Sequence, residues 1–175
     1  MRMEVAPLFV YGSLMSRSVL RSLLGRVPLA HPAVLHGYKR LRVTGQPFPA
    51  LVAANPTSVP VTVHGLVLSD LTSSEKLIFD HFEDEEYVKQ IVHANLLKNV
   101  QEPFDWAFDL SMPPSSDGGD TVLDALAYVW TDETLLDERE WVPERDFLPH
   151  EAAYIRMCDE FVQSPEISLL RQEAT

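Results

Sequence analysis

Two short segments of the chain contain residue types that could bind and transform a polar substrate. The first, Gly12-Ser13-Leu14-Met15-Ser16, is a turn between an apolar strand ending at Tyr11 and a predicted helix. A glycine turn at the start of a helix leaves backbone N–H groups without partners, and such groups bind carboxylates and oxyanions. The sequence therefore predicts an anion-binding turn.

The second segment is an acidic run, Glu83-Asp84-Glu85-Glu86, at the end of another predicted helix. Crowded carboxylates disfavour their own ionisation, and a helix C-terminus is an unfavourable place for negative charge. A carboxyl group in such a place is suited to proton transfer near neutral pH. Taken alone, the turn is better explained as a plain strand-to-helix connection, and the acidic run as a solvated surface at a helix end.

Other kinds of catalytic site find little support in the sequence. The six histidines have no metal-ligand spacing, so no metal site is expected; they are His31, His36, His64, His81, His93 and His150. Ser13 lies outside a G-x-S-x-G motif, and no glycine-rich nucleotide-binding motif is present. Cys158 falls in an acidic helix, where a packed and unreactive thiol is expected.

Composition indicates one globular domain spanning residues 1–175. The chain is 46% hydrophobic and 23% charged, and it has a single cysteine, which favours a reducing compartment. It has no apolar run long enough for a membrane span, and Met1–Val5 lacks the apolar core of a signal peptide. We expect a cytoplasmic protein that does not associate with membranes.

The formal net charge of −12 is unevenly distributed along the chain. The first seventy residues are basic on balance and the remainder is strongly acidic. The sequence has no concentrated basic patch, which argues against nucleic-acid binding. The basic part could favour a small anionic substrate, and the acidic part is explained by solvated helices and loops.

Hydrophobic periodicity and turn residues predict the following elements. Helices are expected from Ser16 to Gly25, after the Thr72–Glu75 capping box, and over 149–162. Strands are expected over 33–44 (with a bulge or bend at Gly37), 48–53, 61–68, 87–97 and 122–130. We expect a loop insertion at 98–121, irregular structure over 131–145 and a frayed tail after 164. Strands without regular β-α-β alternation predict an α+β fold with about six strands in a closed or strongly curved sheet.

Several motifs together resemble the γ-glutamylcyclotransferase-like family, and most of all its plant branch, the avirulence-induced-gene-like proteins. The motifs are Phe9 to Leu14, Gly37-Tyr38, Phe48-Pro49-Ala50, Gly65-Leu66-Val67, Asp80 to Tyr87 and Ala127 to Trp130. Their order and spacing fit over residues 8–162. The resemblance implies a small mixed β-barrel with flanking helices.

The resemblance also implies a reaction and a set of site residues. A γ-glutamyl compound would close on itself to give 5-oxoproline and release an amine or amino acid, with no metal or cofactor. Glu83 would be the general acid and base. The γ-glutamyl group would be bound by Tyr11, Gly12, Ser13, Leu14, Met15 and Ser16. Pro49, Tyr87 and Tyr128 are expected to line the pocket.

Two alternatives to this enzyme stay open at the level of sequence. One is a non-catalytic module of the same fold that binds a γ-glutamyl ligand or a protein partner, and the other is a related acyl-transfer activity. Many family members have asparagine at the position of Leu14, which makes Leu14 the expected determinant of substrate choice. The sequence leaves the oligomeric state open.

Overall fold

The structure of the chain, a computed structural model, describes residues 5–56, 60–83, 85–97 and 118–174. The strands are β1 (Leu8–Val10), β2 (Leu29–His36), β3 (Tyr38–Val43), β4 (Pro49–Ala53), β5 (Thr62–Ser69), β6 (Tyr87–Leu97), β7 (Gly118–Trp130) and β8 (Leu136–Glu140). The helices are α1 (Arg17–Leu24), α2 (Ser73–Phe82), α3 (Pro143–Asp146), α4 (Glu151–Phe161) and α5 (Pro165–Ala174). None of the helices in these ranges is long and apolar enough to cross a membrane.

Five strands form a closed barrel in the order β1-β5-β2-β6-β7. Most neighbours pair antiparallel, and the barrel closes through a parallel pairing of β1 with β7, in which Leu8 lies opposite Leu126. The other three strands form a separate sheet in the order β4-β3-β8. The predicted α+β barrel with flanking helices is therefore confirmed.

Strand β1 is buried on both faces and lies at the centre of the fold. Phe9 and the following Tyr11 pack in a cluster with side chains of the other barrel strands. Leu8 and Val10 point the other way, into a cluster shared with α1, α2 and α4. Because successive side chains of a strand alternate between faces, one short strand joins both cores and delivers its C-terminal end to the space between them.

Helix α2 is held at its N-terminus by a capping box and by an ion pair whose carboxylate is buried. The Thr72 side chain accepts the Glu75 N–H, and the Glu75 carboxylate accepts the Thr72 N–H. That carboxylate is also bound by Arg26, with the Nε–Oε1 and Nη2–Oε2 distances at 2.6 and 2.7 Å. A bidentate pair of this kind restricts the orientation of both groups, so it fixes the direction in which α2 carries Glu83.

Four predicted elements differ from the structure, and three of them lie before α4. The strand expected over 33–44 is two strands from different sheets, because Gly37 at φ +81° turns the chain between β2 and β3. The acidic stretch 131–145, expected to be irregular, contains β8, which pairs with β3, and the start of α3. Residues 118–121 belong to β7, while 98–117 lie outside the described residues.

The tail after residue 164, expected to be frayed, is the helix α5. Pro165 begins the helix, and Ile167 is 3% exposed in the cluster that also contains Ile78 of α2. Burial of one apolar side chain against α2 supplies the stabilisation that a short isolated helix lacks.

The packing of α5 predicts a difference between two alanine substitutions. Ile167→Ala should lower the free energy of unfolding by about 2–5 kcal/mol, because it removes buried methyl groups and leaves a cavity. Leu169→Ala, at a site that is 57% exposed, should change it by no more than about 0.5 kcal/mol. Urea unfolding followed by circular dichroism measures both, and equal midpoints would contradict the packing of α5.

Candidate active site

A cavity of about 220 Å³ lies between the turn after β1, the start of β4, and the helices α2 and α4. It is lined by Phe9, Val10, Tyr11, Gly12, Ser13, Leu14, Phe48, Pro49, His81, Phe82, Glu83, Tyr87, Tyr128, Tyr154, Met157 and Phe161. The lining includes the first four residues of the predicted binding segment, the predicted base and all three predicted lining residues. The fold thus brings together two segments separated by about seventy positions in sequence.

Gly12 is required where the turn meets β4. A Cβ atom on Gly12 would lie 2.5 and 2.6 Å from Cδ and Cγ of Pro49. Carbon atoms cannot approach this closely, and the proline ring is too stiff to move aside alone. Because Pro49 lies this close, only a residue without a side chain fits at position 12.

Met15 and Ser16, which the sequence placed among the binding residues, lie away from the cavity. The Met15 N–H donates to the Gly12 carbonyl and the Ser16 N–H to the Ser13 carbonyl, at 2.9 and 3.0 Å. Met15 is buried in the helical core, and the Ser16 hydroxyl accepts the Val19 N–H as the N-cap of α1. Met15 and Ser16 therefore close the turn, and Ser16 caps α1. The N–H groups of Ser13 and Leu14 lie at the start of the turn.

Ser13 is bonded to a phenol. Its Oγ lies 2.9 Å from the hydroxyl oxygen of Tyr154 on α4, and both side chains are buried. No histidine appears among the described contacts of Ser13. A nucleophilic serine needs an adjacent base, so this arrangement favours a hydrogen-bonding role for Ser13.

Arg40 of β3 binds the backbone at the start of the turn and is not part of the cavity lining. Its Nη1 donates to the Tyr11 carbonyl at 2.8 Å and to the His64 carbonyl at 3.3 Å, and its guanidinium lies 5.0 Å from the ring centroid of Trp141. The side chain is 8% exposed, and its buried Nε has no hydrogen-bond partner within the described structure. Burial lowers the pKa of Arg40 to about 10, so it still carries a positive charge at neutral pH.

The contact with Arg40 sets the direction of the peptide between Tyr11 and Gly12. In a planar trans peptide the C=O and N–H groups point in opposite directions. With the Tyr11 carbonyl held by Arg40, the Gly12 N–H points away from that guanidinium. The charge of Arg40 also favours an anion near this end of the cavity.

Three tyrosines of the cavity form fixed hydrogen bonds. The Tyr11 hydroxyl donates to the Tyr128 carbonyl at 2.5 Å, the Tyr128 hydroxyl to Oδ1 of Asp80 at 2.7 Å, and the Tyr87 hydroxyl to the Pro49 carbonyl at 2.5 Å. Burial and the nearby charge of Glu83 raise the pKa of Tyr11, and burial and the carboxylate of Asp80 raise the pKa of Tyr128. Both phenols therefore stay protonated at neutral pH and act as donors.

Glu83 enters the cavity from the C-terminal end of α2. Its N–H donates to the Phe79 carbonyl, and its backbone then becomes extended, at φ −76° and ψ 144°. The residue is half-buried, whereas Glu85 is exposed. Asp84 lies outside the described residues, so the effect of the acidic run on Glu83 stays a prediction. The proton-transfer role of Glu83 also stays a prediction.

Helix α4 supplies a wall of the cavity that the sequence did not predict. Tyr154, Met157 and Phe161 recur at spacings of three and four residues and line the cavity from one helix face. Phe82 packs edge-on against Tyr154 and Phe161, with ring centroids 6.0 and 5.3 Å apart. The periodicity predicted the helix, but it could not show that this face meets the turn after β1.

The described residues contain no group of three or more histidine, cysteine, aspartate or glutamate side chains that could hold a metal ion. Cys158 is fully buried, and burial raises the pKa of its thiol to about 12. A thiol in this state is a poor nucleophile at neutral pH. The cavity therefore offers one carboxylate, several backbone donors and neutral phenols.

Comparison with known proteins places the chain near one family. Residues 8–148 match the family model described as "Gamma-glutamyl cyclotransferase, AIG2-like". AIG2-like protein D of Arabidopsis thaliana is 30% identical over 169 residues, which cover 94% of this chain and 93% of that protein.

Solved structures share the fold at low sequence identity. A solution structure of an Arabidopsis thaliana protein is similar at 22% identity with a TM-score of 0.58, and the match covers 93% of this chain and 87% of that one. A yeast γ-glutamyl cyclotransferase described as specific to glutathione is similar at 14% identity with a TM-score of 0.51, covering 97% and 96% of the two chains. At these identities the likeness concerns the fold.

The contact between Gly12 and Pro49 predicts a coupled pair of substitutions. Gly12→Ala should destabilise the fold by about 1–3 kcal/mol, because the added methyl group has no room beside the proline ring. Pro49→Ala removes Cγ and Cδ, so the double variant should recover part of that loss. A double-mutant cycle from urea unfolding measures the coupling, and strict additivity would show that the two residues are not in contact.

Proposed function

The chain belongs to the AIG2-like γ-glutamyl cyclotransferase family, and from that premise we propose that it converts a γ-glutamyl compound into 5-oxoproline and a free amine or amino acid. The observation that carries this proposal is that Glu83 and the turn at Gly12 line the same cavity. Glu83 supplies a carboxylate beside neutral phenols. The turn supplies backbone donors, and the buried guanidinium of Arg40 binds the carbonyl that precedes them. A cyclisation of this kind needs both.

The proposed orientation of the substrate follows from the charges around the cavity. The α-carboxylate of the γ-glutamyl group lies at the turn, where the N–H groups of Ser13 and Leu14 and the charge of Arg40 favour an anion. The α-ammonium group then lies beside Glu83. This arrangement folds the substrate so that its amine faces its own γ-carbonyl carbon, and such orientation can supply about 7–11 kcal/mol of the barrier.

In the proposed reaction, Glu83 carries protons from one nitrogen to the other. The α-ammonium group gives a proton to Glu83, and the free amine attacks the γ-carbonyl carbon, which becomes a tetrahedral oxyanion. The ring C–N bond forms and the original amide C–N bond breaks. Two protons pass in turn from the attacking nitrogen to the leaving nitrogen, so Glu83 ends in its starting state. This kind of proton transfer typically contributes ~10²–10⁴-fold.

The surroundings of Glu83 support this role. The phenols of Tyr11 and Tyr128 are engaged in hydrogen bonds and stay neutral, so they do not compete for the substrate proton at neutral pH. Apolar rings cover much of the remaining lining. Partial shielding from water by these rings would strengthen the interaction between the carboxylate and the ammonium group.

The proposal predicts the effect of removing the carboxylate charge. Glu83→Gln keeps the size of the side chain but cannot accept a proton, so release of 5-oxoproline from γ-glutamyl amino acids and γ-glutamyl amides should fall by about 10²–10⁴-fold or more. Glu85→Gln is the matched control, because it removes the same charge from an exposed neighbour and should leave the rate within twofold.

Chromatographic measurement of 5-oxoproline tests both variants. Full activity of Glu83→Gln would rule out the proposed base. If the unmodified protein releases no 5-oxoproline from any compound but its melting temperature rises with a γ-glutamyl analogue, the chain is a binding module of the same fold. That outcome would favour the non-catalytic alternative.

Arg40 predicts a second effect, on substrate binding. Arg40→Met should raise KM by about tenfold, equivalent to about 1.4 kcal/mol, with a smaller effect on kcat. The Tyr11–Gly12 peptide would lose the hydrogen bond that orients it, and the substrate carboxylate would lose a nearby positive charge. Arg40→Lys should restore part of the affinity. Arg139→Met, at an exposed site, is the control for loss of one positive charge. An unchanged KM in a folded Arg40→Met protein would contradict this role.

A further inference from the structure

Asp80 lies in the last turn of α2, and the proposed reaction gives it no role. It precedes Glu83 by three residues, so the two carboxylates are about one helical turn apart. Glu83 lines the cavity, whereas Asp80 does not belong to the lining. Two carboxylates at the end of one helix therefore have different surroundings.

The carboxylate of Asp80 contacts two neighbouring strands of the barrel. Its Oδ1 accepts the hydroxyl proton of Tyr128 on β7, with the two oxygens 2.7 Å apart. Its Oδ2 lies 2.9 Å from Nζ of Lys89 on β6. Lys89 and Tyr128 lie opposite one another in the register of the two strands. Asp80 is therefore held over the pair of strands from which Tyr128 reaches the cavity.

The phenol of Tyr128 is influenced by both carboxylates. Burial and the hydrogen bond to Asp80, followed by the charges of Asp80 and Glu83, raise the pKa of this phenol. A phenol has one proton to donate, and the proton of Tyr128 goes to Asp80. A donor that turns to a carboxylate stabilises its charged form and makes it a weaker base. If the proton of Tyr128 turned toward Glu83, it would weaken the group that the proposed reaction uses as its base.

The other ionisable side chains of the described lining have contacts of their own. They are Tyr11 of β1, His81 of α2, Tyr87 of β6 and Tyr154 of α4. Tyr11 and Tyr87 donate to backbone carbonyls, which no substitution removes. Tyr128 differs because the side chain that accepts its proton lies outside the lining. Its hydrogen bond can therefore be removed without altering the lining of the cavity.

We infer that Asp80 is a positioning residue for the proposed base: it takes the hydroxyl proton of Tyr128 and so keeps that proton from turning toward Glu83. The inference rests on the proposed function for the role of Glu83, and it adds a residue that acts on Glu83 through Tyr128. Asp80 itself touches neither the substrate nor the reacting atoms in this arrangement.

NMR titration of Glu83 tests the inference without catalysis. In protein with isotope-labelled glutamate, the carboxyl carbon signal of Glu83 is assigned by its loss in Glu83→Gln. Asp80→Ala frees the phenol proton of Tyr128, so the titration midpoint of Glu83 should move to lower pH. Alanine suits a helix, so this variant should keep the fold.

The same titration in a Tyr128→Phe background separates the hydrogen bond from the charge of Asp80. Loss of that charge also lowers the midpoint of Glu83, and it does so in both backgrounds. Without the phenol proton, the shift caused by Asp80→Ala should be at most about half as large. Equal shifts in the two backgrounds would show that Asp80 acts by its charge alone and would overturn the inference.

Turnover gives a second measurement. Asp80→Ala should lower kcat/KM for release of 5-oxoproline by about tenfold at neutral pH and move the acidic limb of its pH profile to lower pH, because Glu83 becomes a weaker base. Lys89→Met is the control, because it removes the other contact of Asp80 and leaves the bond to Tyr128; kcat/KM should stay within about twofold. An equal loss in Lys89→Met would overturn the inference.

Failure of the proposed function would be recognised separately. If the unmodified protein releases no 5-oxoproline, the cyclotransferase reaction is refuted for this chain, and the NMR comparison still decides whether Asp80 acts on Glu83 through Tyr128. If the unmodified protein is active and the two NMR shifts are equal, the inference about Asp80 is overturned while the proposed function stands.

Discussion

The hydrogen bond from Arg40 to the Tyr11 carbonyl is the interaction on which the site depends. Arg40 belongs to the three-stranded sheet, while Tyr11 follows the central strand of the barrel, so the bond joins the two sheets where the cavity begins. Trp141 covers the guanidinium and donates its indole N–H to the Pro47 carbonyl at 2.8 Å. Through these contacts the turn, the start of β4 and the end of β8 are positioned together.

Arg40 also contacts the acidic stretch after β7. A buried guanidinium is unfavourable unless its surroundings compensate for lost water, and the carbonyls of Tyr11 and His64 with the face of Trp141 provide that compensation. Trp141 is fully buried and reaches this position because β8 pairs with β3. Residues 136–146 thus bring Trp141 to a face of the buried cation.

Local signals predicted most elements but not their assembly. The Ser16 cap, the Thr72–Glu75 capping box and the alternation along β6 depend on neighbours in sequence, so the sequence showed them. The pairing of β8, the order of α5 and the wall that α4 contributes depend on contacts with distant residues. The resemblance to a family assigned Glu83 and the Gly12 turn to one site. Arg40 lies in no motif that could have identified it.

The uneven charge along the chain has a structural explanation that the sequence did not suggest. Arg26 binds Asp70 and the buried Glu75, and Arg42 binds Asp137 and Asp146, so cations of the basic part pair with carboxylates around the start of the acidic part and within it. Arg40 differs because no carboxylate contacts it within the described residues. Burial lowers the pKa of Arg40, while Glu140 and Glu144 act on its charge from a greater distance and raise that pKa. The guanidinium binds the turn that lines the cavity, and Glu83 enters the cavity from the end of α2. The proposed γ-glutamyl substrate carries a carboxylate and an ammonium group on one carbon atom, so it would meet a positive and a negative group at these two segments.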